Sequence, residues 1–155
     1  MKNYKIFILT VVLGFSALNI QAQDKKAFNI DDSKIGLQGY SPVSYLDLNL
    51  AQRGSKEYKV IHQGISYYFT SSEQAKKFKS NPNYYLPQFG GYCAFGVYAG
   101  AKFRTDPHKF VVSNSKLYLF LYDVEVDAKQ LWLDHKEAAL LPKAQSNWKK
   151  LKTEI

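Results

Sequence analysis

The chain has one cysteine, Cys93, among its 155 residues. An intramolecular disulfide is therefore impossible, and stability must come from packing alone. Metal-ligand spacings are missing as well: there is no CxxC, no HxxxH, and no histidine with an acid one helical turn away. No phosphate-cradling loop, nucleophile elbow or paired-carboxylate pattern occurs either, so the sequence does not read as an enzyme. Acids are few, 13 against 21 Lys and Arg, for a net charge of +8. Such a balance favours acidic partners or anionic membrane faces. Basic runs do not interleave with exposed aromatics in a nucleic-acid module, and nucleic acid is not an expected partner. The one long apolar run, Ile6 to Leu18, is short of the roughly 20 residues that a membrane span needs.

That run is preceded by Met1-Lys2-Asn3-Tyr4-Lys5 and closes with Asn19-Ile20-Gln21-Ala22. A cationic start, a short apolar stretch and a small residue before Gln23 predict a signal peptide over 1–22 and export to the periplasm or outside the cell. Its removal leaves 133 of the 155 residues and, with Lys2 and Lys5 gone, takes the charge from +8 to +6. Residues 23–36 read as a polar lead-in and 37–155 as one domain, large enough to bury a core. Ten Phe, 12 Tyr and two Trp supply that core.

Local signals predict an α+β fold, a small single domain with two β-hairpins packed against short helices. Ser41 with Pro42 behind it starts a helix through about Leu48. Glu57 to Thr70 reads as a hairpin turning at Gln63-Gly64, with Tyr58, Val60, His62, Ile65, Tyr67 and Phe69 on one inward face. Ser71 and Gln74 form a capping box for a helix that buries Ala75 and Phe78 and stops at Asn81-Pro82. The glycine pair at 90–91 suggests a tight loop into a short buried helix near 91–98. A second hairpin spans about Lys109 to Phe120, turning at Asn114-Ser115, with Phe110, Val112, Leu117 and Leu119 on one face. Asp127 caps a helix carrying Leu131, Trp132, His135 and Ala139 on one stripe. Pro142 opens a last short helix with Trp148 and Leu151 inward and Lys149, Lys150 and Lys152 outward. No internal repeat is visible.

Gly39-Tyr40-Ser41-Pro42-Val43-Ser44-Tyr45 is similar to the GYDPVAY opening of secreted YHS-domain proteins, and Tyr85-Leu86-Pro87-Gln88-Phe89-Gly90-Gly91-Tyr92-Cys93-Ala94 resembles their YxPQYGGYCA segment. Asp106-Pro107, Lys116 to Leu119 and Asn147-Trp148 extend the resemblance over roughly 36–150. It implies a small α+β module of a family often attached to metal-handling proteins, many members carrying cysteines suspected of binding metal. Three departures stand out. The cysteine-rich opening is absent, Thr70-Ser71-Ser72 occupies the place of a further cysteine, and Ser41 replaces an aspartate.

Cys93 is the candidate thiolate for a soft metal, copper or zinc, against the plainer role of a small core hydrophobe. His62 and His108 are its candidate co-ligands if the fold brings them together. Tyr40, Gly90, Gly91 and Tyr92 are candidates for a ligand pocket, and the tyrosine cluster that also includes Tyr45, Tyr67, Tyr84 and Tyr85 either lines it or forms the core. The expectation is an exported binding module holding a metal ion or small ligand near 90–93. The alternative is a metal-free module that docks to another envelope protein through its aromatic and basic surface; separately, the lysines from 143 to 152 leave room for peripheral membrane contact by the last helix.

Overall fold

Capping residues and left-handed turns decide where each element of this chain begins. The computed structural model describes residues 27–121 and 123–154, so the expected signal peptide over 1–22 and the first four residues of the lead-in lie outside the described residues. In chain order the elements are α1 (Pro42–Leu48), β1 (Ser55–His62), β2 (Ile65–Phe69), α2 (Ser72–Ser80), α3 (Pro82–Tyr85), α4 (Ala94–Ala99), β3 (Asp106–Ser113), β4 (Lys116–Phe120), α5 (Ala128–Asp134) and α6 (Glu137–Leu151). The fold is a small α+β domain: β1–β2 and β3–β4 are separate antiparallel hairpins packed among helices. Both turns carry two positive-φ residues, Gln63 and Gly64 in one and Asn114 and Ser115 in the other. Such turns match the twist of the flanking strands, and they lock the registers His62↔Ile65 and Val112↔Leu117.

Helix starts follow the capping signals. Ser41, Ser71 and Asp127 accept from the backbone N–H three residues on, at the heads of α1, α2 and α5. Gln74 does not close a reciprocal box with Ser71. Its amide turns to α1, accepting from Ser41 Oγ at 2.7 Å and donating to Ser44 Oγ at 3.0 Å. Both serines are fully buried, so this glutamine provides for the polar groups at the α1–α2 contact.

The structure contains a repeat that the sequence does not announce. A left-handed turn over 36–39 leads through Tyr40 and the cap Ser41 into α1 and then the first hairpin. A second such turn over 88–91 leads through Tyr92 and the cap Cys93 into α4 and then the second hairpin. The hairpins correspond at a constant offset of 51 residues, Ser55 to Asp106 and Phe69 to Phe120, and both pairings are interrupted at the same place, after Ser55 and after Asp106. Cap contacts correspond too: Ser41 N donates to Gln52 O at 2.8 Å and Cys93 N to Phe103 O at 3.1 Å.

Two of the hydrophobic clusters belong to one unit each. Val60, Ile65, Tyr67 and Phe69 close on Phe78 of α2 in the first. Tyr118 and Phe120 close on Trp132, Val97 and Leu140 in the second. The third cluster joins them: the opposite face of the second hairpin, with Leu117, Leu119, Phe110 and Val112, packs on Tyr45 and Leu37 of the first unit. Phe110 and Tyr45 meet edge-to-face at 4.8 Å.

Two expectations at the C-terminal end need correction. α5 stops at Asp134, leaving His135 and Ala139 exposed rather than on a buried stripe, and the last helix starts at Glu137, not at Pro142. Pro142 sits inside α6, where it removes the donor for the carbonyl of Ala138. Both residues are on the exposed side, so water can serve that carbonyl. The described part of the lead-in is also more than a tether. Phe28 and Ile30 pack on the first cluster, Asn29 N donates to Gly90 O at 2.9 Å, and Ile35 bridges to Ser66.

Replacing Gln74 with Ala takes the acceptor from the buried Ser41 hydroxyl, while Ser44 Oγ keeps Gln52 Oε1 at 2.8 Å, and the expected loss is about 1–3 kcal/mol of folding stability, read from urea titration. A loss no larger than that of an exposed helix substitution such as Lys76→Ala would show that the glutamine does not organise the α1–α2 contact.

Candidate functional site

Where the two units meet, the left-handed turns leave a cavity of about 260 Å3. Leu37 and Gln38 from one turn and Gly90 and Gly91 from the other stand on its wall, with Tyr45, Tyr67 and Leu119 supplying ring and methyl surface. Residues 27–30 run across it as a strap. Gly90 has no side chain because the strap leaves no room: a Cβ there would overlap the carbonyl oxygen of Ala27, and φ is +59°. Gly36 plays the same part on the other side, where a Cβ would overlap the Tyr67 ring.

Polar groups on the wall are nearly all spoken for. Asn29 Nδ2 donates to Gly91 O at 2.9 Å and to Thr105 Oγ1 at 3.0 Å, and Thr105 Oγ1 donates to Gly91 O at 3.1 Å. Gln38 Nε2 donates to Thr105 O at 2.7 Å, and Tyr45 Oη to Pro107 O at 2.8 Å. These bonds fasten strap, turns and second hairpin to one another. Tyr67 is the exception. It is only 3% exposed, yet its hydroxyl has no hydrogen-bond partner among the described residues, and burial alone raises its pKa far above the ordinary phenol value. A phenol in that state offers a donor to whatever enters the cavity.

The candidates named from sequence fall in different places. Gly90 and Gly91 are on the cavity wall. Tyr92 sits behind them and holds the strap, its hydroxyl donating to Phe28 O at 3.1 Å. Tyr40 lies outside the wall, its hydroxyl 3.0 Å from Nε2 of the exposed His108 and its ring under the Arg53 guanidinium. His62 packs edge-to-face on Phe78, with Nε2 buried and unpartnered among the described residues. Of the other tyrosines, Tyr84 is exposed and Tyr85 is core.

Cys93 is 1% exposed and works as the N-cap of α4, its sulfur accepting from Gly96 N at 3.4 Å. Burial pushes its thiol above the ordinary value, partly offset by nearby backbone N–H groups. A thiol held protonated is a poor soft-metal ligand. Among the described residues no three of His, Cys, Asp and Glu come together to hold a metal ion, so Cys93, His62 and His108 do not form one donor set. Copper or zinc does not fit this arrangement of donors.

Sequence reasoning missed Asn29, Gln38 and Thr105, which bind the wall together, because their partners are mostly backbone groups that no side-chain spacing reveals. No family model, no curated protein and no solved structure matches the chain. Among the described residues, no helix is long and apolar enough to cross a membrane.

Gly90→Ala should displace the strap and cost at least about 1–2 kcal/mol from the left-handed backbone alone, seen as a lower urea midpoint. An unchanged midpoint would mean that the strap does not rest on Gly90. The Cys93 thiol should react with a thiol reagent only as fast as the domain opens; rapid labelling of the folded protein would contradict its burial. Cys93 and Tyr67 both have raised pKa values in the fold, so the unfolded chain loses these protons first. Stability is therefore complete below their unfolded values, near 9.0 and 10.0, and falls as pH rises through and beyond them. Tyr67→Phe should flatten the part of that decline above pH 10.

Proposed function

We propose that the chain is an exported binding module of the YHS kind, which holds a small, largely apolar ligand in the cavity beside Gly90 and Gly91. The observation that carries this reading is Tyr67, a buried residue on the wall of a cavity of about 260 Å3 whose hydroxyl has no hydrogen-bond partner among the described residues. Apolar walls with a few placed polar groups are what small-molecule sites are made of. By the proportion in which a dry cavity of about 150 Å3 takes benzene, this one has room for about ten non-hydrogen atoms.

Strain supports the same reading. Leu37, Gln38 and Phe89 are non-glycine residues on left-handed backbone, and they sit in the two turns that frame the cavity. Each costs on the order of 1–3 kcal/mol, and such residues gather at ligand clamps. Export rests on the leader read from residues 1–22, and the family on the two motifs at 39–45 and 85–94.

2-Octanone tests the reading: nine non-hydrogen atoms, neutral, with one carbonyl acceptor for Tyr67. Saturable binding is expected by calorimetry, weakened several-fold in Tyr67→Phe. That variant should be about as stable as the parent, since the hydroxyl has no protein partner to lose. No binding by 2-octanone, or equal binding by the variant, would sink the ligand reading and leave docking to an envelope protein in its place.

A further inference from the structure

The cavity wall contains no acid and one base. Of the residues that line it, only Lys152 carries a charge. Lys152 caps the C-terminal end of α6, is exposed, and stands on the rim with Trp148, whose indole packs against Phe89 and Tyr92. Its ammonium is in none of the ion pairs among the described residues, which join Lys77 to Asp47, Arg104 to Asp31 and Lys109 to Asp127. The other polar wall groups are turned inward on the protein: Asn29 and Gln38 donate to the main chain and Tyr45 to Pro107 O. A ligand therefore meets two free donors, the neutral hydroxyl of Tyr67 and the cation of Lys152 at the rim, with apolar surface from Phe28, Leu86 and Leu119 in the same wall.

We infer that the ligand is a small amphiphilic carboxylate: an apolar body of about ten non-hydrogen atoms with a neutral acceptor for Tyr67 and an anionic head for Lys152. This rests on the cavity being a ligand site, and it adds the charge and the two-ended polarity of what fills it. A cationic ligand finds no counter-charge in this wall. A ligand with several charges finds one partner only and would strip water from the rest.

The test compares 2-octanone with 7-oxooctanoate, the same methyl ketone carrying a carboxylate at its far end. On the full mature protein, calorimetry should show 7-oxooctanoate binding roughly fivefold more tightly, the upper end for an exposed ion pair. The gain should shrink as salt rises from low to about 0.5 M, because Lys152 is exposed. Lys152→Gln should abolish the gain and leave 2-octanone affinity unchanged. As a surface substitution, it should also leave the urea midpoint within error.

Outcomes separate cleanly. If 2-octanone binds and the carboxylate adds nothing, the anionic head is wrong and the cavity remains a ligand site. If the gain survives in Lys152→Gln, another cation supplies it and the assignment to Lys152 is overturned. If neither compound binds, the inference falls together with the reading beneath it. If 7-oxooctanoate binds more tightly than 2-octanone, and Tyr67→Phe and Lys152→Gln each weaken it, both ends of the proposed ligand are supported.

Discussion

A chain that must start a helix directly after reversing its course has to spend residues on left-handed backbone, and this one does so twice. At 36–39 the residues are Leu37 and Gln38; at 88–91 they are Phe89 and Gly90. Non-glycine residues hold that conformation only when their surroundings over-determine it. Here Leu37 and Phe89 are buried in the core, Tyr40 N and Tyr92 N close back on Leu37 O and Phe89 O, and Gln38 is tied to Thr105. Everything downstream follows from those turns. They aim Ser41 and Cys93 as caps, the caps start α1 and α4, and the helices present the surfaces on which each hairpin lies.

Correspondence between the units also explains where they differ. Ser41 is a polar cap, and its hydroxyl passes a hydrogen bond on to Gln74. Cys93 holds the equivalent place in a cluster of Phe89, Val97 and Phe120, where no side-chain acceptor faces it. A thiol suits such a position better than a hydroxyl, since it caps weakly and tolerates an apolar environment. The cysteine is thereby accounted for as structure. The second hairpin, unlike the first, is covered on both faces. Its Tyr118 side builds its own unit and its Leu117 side builds the joint, while Ile61 on the first hairpin stays 63% exposed.

Much of the fold was legible because its signals are local. Caps at Ser41, Ser71 and Asp127, turns at Gln63-Gly64 and Asn114-Ser115, and the alternation of Phe110, Val112, Leu117 and Leu119 need only neighbouring residues to be read. What failed depended on tertiary context. Proline marks a helix start in most sequences, but Pro142 is carried inside α6 on its exposed side. The repeat is invisible because equivalence lies in backbone hydrogen bonds and bulge positions, while Gly-Tyr before each cap is nearly all the sequence shares. The glycine pair stands out in the sequence as unusual. The strap that makes Gly90 necessary could not be seen in a lead-in of polar residues, and Tyr67 looked like any other inward tyrosine of its hairpin.

The cavity is best understood as space the chain keeps open at some cost. Enclosed voids destabilise by about 24 cal/mol per Å3, but this cavity opens to solvent, and its cost is the apolar wall that the fold leaves unburied. This chain has no shortage of large side chains with which to fill it. Yet at Gly36 and Gly90 the Tyr67 ring and the strap already take the space a side chain would need, and Tyr67 brings to the wall a hydroxyl without a partner among the described residues. A closer approach of the two turns would make a more stable domain by ordinary packing rules. Two strained turns and a phenol without a protein partner stand at one place, and such a coincidence points to a requirement other than folding.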